Sequence, residues 1–199
     1  MSTNPYDYEN RQDILPVSWN DFHGICRALA QAISAYQPDV ILPIGRGGFY
    51  PGTLISHLLR AEIYPIRVSR RVGDVVVYDD PQWIIRPPEQ VKRQRVLVVD
   101  EISSTGGTLQ MVKAELLRMG AQEVRSAVLY AHSWGTASPD YIGIISDALI
   151  MNPWDREICQ NGKIIPHPEY ISALEQQGIA SEPWFLIPAP VYEVAKQPL

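Results

Sequence analysis

Apolar residues recur every three or four positions in two stretches of the chain, a spacing that places side chains on one face of a helix. In the first stretch Ser18 is suited to cap the helix, and the apolar face comprises Trp19, Phe22, Cys26, Leu29, Ile33 and Tyr36. In the second, the same spacing continues up to Gly120 through Leu109, Val112, Leu116 and Met119. The pattern predicts two amphipathic helices.

Outside these helices lie short runs that are apolar almost throughout. They are "VILPI" at 40–44, "AEIYPIRV" at 61–68, "RVLVVD" at 95–100 and "VRSAVLYA" at 124–131. A strand with one face in water alternates apolar and polar residues, whereas a strand covered on both faces does not. A further helix is expected after the turn "GRGG", with Pro51 in its first turn. Strands that alternate with helices predict an α/β fold, in which a mostly parallel central sheet carries helices on both faces.

The chain has 199 residues, which suits a single domain over residues 1–199. We expect its core to span about residues 16–155. Beyond the core the composition changes, since six of the 17 prolines fall at positions 166, 168, 183, 188, 190 and 198. A proline-rich C-terminal extension is therefore predicted over residues 156–199, with one short helix at 169–177.

The composition is typical of a folded protein, with 46% hydrophobic and 20% charged residues. A net charge of -5 argues against binding to nucleic acid or to an anionic membrane surface, because both favour clustered lysines and arginines. The first twenty residues contain no apolar segment typical of a signal peptide, and Cys26 and Cys159 form no metal-spaced cluster. We expect a cytoplasmic protein that acts on small molecules.

The stretch "VLVVDEISSTGGTL" at 96–109 carries the clearest chemical signal. A glycine turn between a parallel strand and a helix gathers N–H groups at the positive end of the helix, which suits a phosphate. No GxGxxG motif follows a strand, and Thr53 stands where a P-loop would need its lysine. Asp100 and Glu101 directly precede the turn, and two carboxylates there can accept hydrogen bonds from sugar hydroxyls. These residues indicate a site for a ribose 5-phosphate.

The same stretch resembles the phosphoribosyl-pyrophosphate signature of type I phosphoribosyltransferases, which has aliphatic residues, two acids, two variable positions and a small-residue turn. Three further segments resemble the xanthine-guanine branch of that family: "VSWNDFHGICRALAQAI" at 17–33, "PIGRGGFYPG" at 43–52 and "NPWD" at 152–155. They are similar to its opening helix, its pyrophosphate loop and part of its nucleobase pocket. The resemblance covers about residues 16–155.

This resemblance implies a fold and a reaction. The fold would be a central sheet with a small hood beside it. The reaction would move ribose 5-phosphate from 5-phosphoribosyl 1-pyrophosphate to a nucleobase, with release of pyrophosphate. The branch implies a purine as the acceptor and Mg²⁺ as the cofactor, and so a role in purine salvage.

Carried over position by position, the resemblance implies a role for each matching residue. Asp100 and Glu101 would hold the ribose hydroxyls and form the catalytic set with Arg46, while Arg46 and Gly47 would contact pyrophosphate. The 5-phosphate would lie on Ser103, Ser104, Thr105, Gly106, Gly107 and Thr108. The nucleobase would lie on His132, Leu149, Ile150 and Trp154. The metal ligands would be Asp100, Glu101 and Asp155.

Three positions differ from the purine branch, all in its nucleobase half. Ser104 stands where the branch has an aspartate beside the base nitrogen, and a hydroxyl is a poor general base at neutral pH. His132 replaces a lysine that reads the exocyclic oxygen of the purine, and Leu149 replaces an aromatic residue. Three alternatives therefore stay open: a transferase for a non-purine acceptor, a regulatory protein that binds the donor without catalysis, and a protein that keeps the fold but has an idle site.

Basic residues concentrate in one segment of this acidic chain, at Arg67, Arg70, Arg71, Arg86, Lys92, Arg93 and Arg95. By the resemblance, the segment would close over the leaving pyrophosphate as a lid. The alternative is an ordinary solvated run of charges. The apolar helix faces and the proline-rich extension also suggest a homodimer.

Overall fold

The computed structural model of the protein describes residue 11, residues 13–72 and residues 75–179. Within these ranges the helices are α1 (Trp19–Ile33), α2 (Phe49–Leu59), α3 (Gly107–Arg118) and α4 (Pro168–Gln176). The strands are β1 (Ile14–Pro16), β2 (Val40–Gly45), β3 (Glu62–Ile63), β4 (Ile66–Ser69), β5 (Arg71–Val72), β6 (Val75–Val76), β7 (Gln82–Ile85), β8 (Arg95–Ser103), β9 (Glu123–Ala131), β10 (Tyr141–Ile145), β11 (Leu149–Met151), β12 (Glu157–Gln160) and β13 (Lys163–Pro166).

The main sheet has the strand order β10-β9-β8-β2-β4-β7, and β3 also pairs with β2. Its neighbouring strands are parallel, except for β4 and β7, which are antiparallel. β8 therefore lies in the interior of the sheet, between β2 and β9. The predicted α/β fold with a mostly parallel sheet is confirmed.

Helices cover both faces of the main sheet. On one face lie α1 and α2, which pack on the sheet through Cys26, Ile33, Ile55, Leu97 and Leu129. On the other lies α3, which packs through Val96, Val98, Val112, Leu116 and Val128. Successive residues of a strand point to opposite faces, so a strand covered on both sides needs apolar residues at every position. This explains why the predicted strands show no alternation.

The first predicted helix is confirmed as α1. The hydroxyl of Ser18 accepts a hydrogen bond from the backbone N–H of Asp21 (3.1 Å), and the Asp21 carboxylate accepts one from the backbone N–H of Ser18 (2.9 Å). This reciprocal pair is a capping box, which fixes the start of the helix. Trp19 differs from the pattern: it is 53% exposed and its ring lies beside Tyr50 and Trp154, because the first helical position lies at the edge of the packed face.

The apolar run at 61–68 forms two strands rather than one. β3 pairs with Val40 and Ile41 of β2, whereas β4 pairs with the far end of β2. Pro65 lies between them and has no backbone N–H to donate to a ladder. Tyr64 still donates its N–H to the carbonyl of Ile41 (3.1 Å). The proline therefore divides the run but keeps both halves beside β2.

A small second layer, the hood, consists of β1, β11 and α4. β1 and β11 form a parallel pair, and α4 packs on them through Leu149, Met151, Tyr170, Ala173 and Leu174. The antiparallel pair β12 and β13 connects the hood strand to α4. The predicted short helix of the extension is thus observed, and it shares a core with the hood. Residues 180–199 of the predicted extension lie outside the described residues.

No helix among the described residues is both long and apolar enough to span a bilayer.

Candidate active site

The acid pair lies where β8 extends beyond its pairing with β2. β2 pairs with β8 only as far as Val99, whereas β9 continues beside β8 to Ser103. β2 ends at Gly45 and the chain turns away into α2. Asp100 and Glu101 therefore stand at the carboxyl end of an interior parallel strand, where ligands bind in α/β folds.

Burial dominates the electrostatics of this pair. It raises the pKa of Asp100 to about 7, although the backbone N–H of Glu101 donates to Asp100 Oδ1 (2.8 Å) and opposes the rise. It also raises the pKa of Glu101 to about 8, and the negative charges of Asp100 and Asp155 add to this rise. Such a pair gains its full charge only when a cation or hydrogen-bond donors arrive, as in many binding sites.

Asn152, the first residue of the "NPWD" segment, makes a hydrogen bond to the acid pair. It was not predicted as a site residue. It is buried, and its Nδ2 donates to Glu101 Oε1. Its Oδ1 is also buried and has no hydrogen-bond partner. Asp155, at the end of the same segment, accepts a hydrogen bond from the hydroxyl of Tyr170 (3.2 Å).

The groups around the pair fit a magnesium ion. Carboxylate oxygens of Asp100, Glu101 and Asp155, together with Asn152 Oδ1, are the hard ligands that Mg²⁺ prefers. Within the described residues, no three His, Cys, Asp or Glu side chains are arranged to hold a metal by themselves. Because Mg²⁺ usually keeps water and takes phosphate oxygens from a substrate, these residues suit an ion that binds together with a phosphorylated ligand.

The predicted phosphate turn joins β8 to α3. Gly106 has a φ of +78° and precedes the helix, which begins at Gly107. The cap residue makes no side-chain hydrogen bond, so the first N–H groups of α3 are open to an anion. Ser103 differs from the other residues of the turn: its buried hydroxyl donates to the carbonyl of Gly135 (2.8 Å) and so anchors the turn.

The second predicted loop, "GRGG", joins β2 to α2 and lies against the acid pair. The peptide bond between Gly45 and Arg46 is cis. A Cβ atom on Gly47 would lie 1.7 Å from Glu101 Oε2, and one on Gly48 would lie 2.6 Å from the carbonyl oxygen of Val99. The loop thus passes so close to β8 that glycine is needed at both positions.

One cavity of about 790 Å³ brings most of the predicted residues together. Those on its wall are Asp100, Glu101, Ser103, Ser104, Thr105, Gly106, Gly107, Thr108, His132, Leu149, Ile150 and Asp155. Arg46 and Gly47 are not on that wall, although Gly47 adjoins Glu101. Trp154 is not on it either, because its ring stacks on Tyr50 with 4.4 Å between the ring centroids.

The cavity also has wall residues that sequence reasoning missed. Tyr130 on β9 is fully buried, and its hydroxyl has no hydrogen-bond partner. Burial and the nearby charge of Glu101 raise the pKa of this hydroxyl. Trp134 follows β9 and stacks on His132. Neither residue stands out in the sequence, because one lies in an apolar strand and the other in a loop.

The basic segment does not gather at the cavity. Arg70 lies on its wall, but Arg86 pairs with Glu115 (3.5 Å) on α3. Arg95 pairs with Asp39 (3.1 Å) at the opposite end of β8, roughly 16 Å from Asp100 at about 3.3 Å per strand residue. Arg95 therefore cannot belong to the predicted lid, because the length of β8 separates it from the site; a lid made by the earlier residues of the segment stays a prediction.

The phosphoribosyl transferase domain family matches residues 18–159. The chain belongs to this family. The matched range contains the acid pair, the phosphate turn, the "GRGG" loop and the "NPWD" segment. The resemblance to type I phosphoribosyltransferases is confirmed.

Named relatives in the phosphoribosyl transferase family include purine-using members. The chain is 29% identical over 132 residues to the hypoxanthine-guanine phosphoribosyltransferase of Saccharomyces cerevisiae, covering 55% of this chain and 58% of that enzyme. It is 25% identical over 170 residues to the xanthine-guanine phosphoribosyltransferase of Nitratidesulfovibrio vulgaris Hildenborough, covering 78% and 93% of the two chains. The crystal structure of a purine phosphoribosyltransferase from Pyrococcus horikoshii Ot3 superposes with a TM-score of 0.64 at 31% identity, covering 72% and 94%. The match thus spans less than two thirds of the yeast enzyme.

Proposed function

We propose that this protein is a phosphoribosyltransferase that moves ribose 5-phosphate from 5-phosphoribosyl 1-pyrophosphate, the donor, to a nucleobase and releases pyrophosphate. The observation that carries this proposal is the shared cavity of the acid pair and the phosphate turn at the end of β8. The names of the relatives support a purine-type acceptor and a role in salvage. The oxygen ligands around Asp100 support Mg²⁺ as the cofactor.

Each part of the donor has a matching part of the site. The N–H groups at the start of α3 hold the 5-phosphate, with the exposed Ser104 and Thr105 beside them. Asp100 and Glu101 accept hydrogen bonds from the ribose hydroxyls. Arg46 and Gly47, in the loop that adjoins Glu101, contact the pyrophosphate. The hood residues Leu149 and Ile150 face the acceptor across the cavity.

The chemistry follows from these positions. The bond between C1 of the ribose and the pyrophosphate oxygen breaks, and its electron pair leaves with the pyrophosphate. Positive charge then develops on the sugar ring, where the carboxylates of Asp100 and Glu101 stabilise it. A nitrogen of the acceptor donates its lone pair to C1 and then loses a proton to water. Bound Mg²⁺ would offset the charge of the pyrophosphate. The protein contributes positioning and electrostatics rather than a covalent nucleophile.

Donor binding and turnover test this function directly. With magnesium present, calorimetry should detect donor binding, and pyrophosphate release should follow with at least one base from a panel of purines and pyrimidines. Glu62→Gln, at an exposed acid on β3, serves as the control and should behave like the wild type. Absence of measurable donor binding by the wild type would rule the proposal out.

A second candidate is a regulatory protein that binds the donor without catalysis. Ser104 favours it, because this exposed hydroxyl stands where the purine branch has a carboxylate base. Donor binding without pyrophosphate release, across the full panel of acceptors, would support this candidate. Turnover with any acceptor would eliminate it.

Donor binding should release protons at neutral pH. In the free protein at pH 7, the raised pKa values leave Glu101 mostly protonated and Asp100 about half protonated. Ribose hydroxyls and Mg²⁺ need the ionised carboxylates, so roughly one proton should leave on binding. Calorimetry with preformed magnesium-donor complex, in buffers of low and high ionisation enthalpy, measures this number. Release should fall toward zero near pH 9, where both carboxylates are already ionised in the free protein, and a release by the wild type that stays the same between pH 7 and pH 9 would contradict the assignment.

A further inference from the structure

His132 lies on the cavity wall next to the acceptor side. It directly follows β9 and is only 4% exposed, and its backbone N–H donates to the carbonyl of Ser103 (3.1 Å) in the phosphate turn. Leu149 and Ile150 of the hood line the same cavity with apolar side chains. The imidazole of His132 is one of the polar side chains on this wall that a flat aromatic ring could meet.

The hydrogen bonds of this imidazole fix which nitrogen carries the proton. Nδ1 lies 2.8 Å from the backbone carbonyl oxygen of Ser146. A carbonyl oxygen can only accept a hydrogen bond, so Nδ1 is the donor and bears hydrogen. In a neutral ring the other nitrogen, Nε2, then carries a lone pair and can only accept.

The surroundings keep the ring neutral. Burial lowers the pKa of His132, and the positive charge of Arg11 lowers it further. The Ser146 carbonyl and Asp147, whose Oδ1 lies 4.0 Å from Nδ1, act in the opposite direction. Burial is the largest of these effects, so the lone pair on Nε2 is retained at neutral pH.

Stacking holds the ring in this orientation. The ring of Trp134 stacks on His132 with 4.8 Å between centroids and 23° between planes. The guanidinium of Arg11 lies 5.0 Å from the centroid of the Trp134 ring. A ring flip of His132 would break the hydrogen bond to Ser146. Packing as well as hydrogen bonding therefore keeps Nδ1 as the donor and Nε2 as the acceptor.

We propose that Nε2 of His132 selects acceptors that present an N–H donor to it, so that an amino-substituted base is preferred over the matching base with a carbonyl group. This specificity rests on the proposed function. It differs from the bases in the names of the relatives, since hypoxanthine, xanthine and guanine all carry a carbonyl at position 6. A carbonyl oxygen facing Nε2 would bring two lone pairs together and leave both without a hydrogen bond.

Matched pairs of bases test the selection. The pairs are adenine against hypoxanthine and cytosine against uracil: in each pair the first base has an amino group beside a ring nitrogen that accepts, and the second has a carbonyl group beside a ring N–H. For the wild type with magnesium and donor, we expect the amino member of at least one pair to bind, or turn over, at least about tenfold better, the value of one neutral hydrogen bond. His132→Lys replaces the acceptor by a group that only donates, and it should reverse the preference. His23→Lys, at an exposed position on α1, should leave the preference unchanged.

The protonation of the ring can be measured in the wild type without any turnover. Long-range ¹H–¹⁵N correlation spectra at pH 7 should show one neutral imidazole with hydrogen on Nδ1, and its signal should be missing from His132→Lys. Hydrogen on Nε2, or a doubly protonated ring, would overturn the inference whether or not the protein is a transferase. If the lysine variant does not fold, the preference of the wild type between the paired bases still tests the inference.

The remaining outcomes separate the two proposals. Equal or better use of the carbonyl bases, failure of both members of both pairs to bind, or an unchanged preference in a folded His132→Lys would each overturn the inference. If the wild type does not bind the donor, the proposed function is overturned but the inference about His132 is not. In that case, binding of the free bases measured by calorimetry still shows whether the amino member of a pair is preferred.

Discussion

Replacing Asp100 and Glu101 together by asparagine and glutamine should abolish catalysis and make the free protein more stable above pH 7. In the proposed donor complex both carboxylates accept hydrogen bonds and face the developing positive charge, so kcat/KM should fall by at least about 10³-fold. The amide oxygens can still accept hydrogen bonds but carry no charge. Donor binding should therefore drop below detection by calorimetry at micromolar protein.

The opposite effect on stability follows from the raised pKa values. Burial brings the pKa of Asp100 to about 7 and that of Glu101 to about 8, well above the values of an unfolded chain. The native state therefore holds protons that the unfolded state has already lost, and the free energy of unfolding falls as pH rises from about 4 to 8. The amide variant has no such groups to ionise. At pH 8 it should gain at least about 1 kcal/mol, the equivalent of less than one pKa unit.

Denaturant unfolding of the metal-free protein at several pH values checks this result. The wild type should lose stability between pH 5 and pH 8 relative to the amide variant, and Glu62→Gln should follow the wild type. A variant that is less stable than the wild type at pH 8, with the same dependence on pH, would show that the pair is not strained by burial. Saturating magnesium and donor should remove most of the difference, because binding stabilises the charged form.

Most of the fold could be predicted from patterns of residues that are close together in the sequence. The stripe of α1, the cap at Ser18 and the unbroken apolar runs of β2, β8 and β9 were sufficient to predict the layers. The acid pair and the phosphate turn were predicted for the same reason, since a strand, two acids and a glycine turn are contiguous in the chain. Pro65 was the local signal that the run at 61–68 would divide.

Features made by residues far apart in the chain were not predictable in this way. Asn152 meets Glu101 only because the fold brings the residue after the hood strand β11 to the end of β8. Tyr130 looks like any other apolar strand residue until its buried hydroxyl is placed on the cavity wall. The position of Arg95 was not predictable for a related reason: it is close in sequence to the other basic residues, but β8 carries it to the end opposite the site. The separation of two residues in the sequence does not indicate whether they make such contacts in the fold.

Gly135→Ala should impair donor binding although Gly135 contacts no part of the proposed ligand. This residue lies in a short 3-10 turn after β9, and its carbonyl accepts the hydrogen bond from the Ser103 hydroxyl (2.8 Å). A Cβ atom there would lie 2.3 Å from the carbonyl oxygens of both Ser103 and Ser104. Both contacts are with backbone, so the added methyl can be accommodated only if the phosphate turn moves away from β9.

This movement should lower the free energy of unfolding by about 1–3 kcal/mol, which is typical of overpacking. It should also weaken donor binding at least about tenfold, because a displacement near 1 Å disrupts a positioned site. Gly24→Ala is the matched control: this glycine lies on the exposed side of α1 with open space around it, so alanine should stabilise the helix by about 0.5–1 kcal/mol and leave donor binding unchanged. Calorimetric titration of the donor and denaturant unfolding measure both quantities. A folded Gly135→Ala variant with wild-type donor affinity would mean that the turn does not depend on its contact with the residues after β9, and that the 5-phosphate is held by α3 alone.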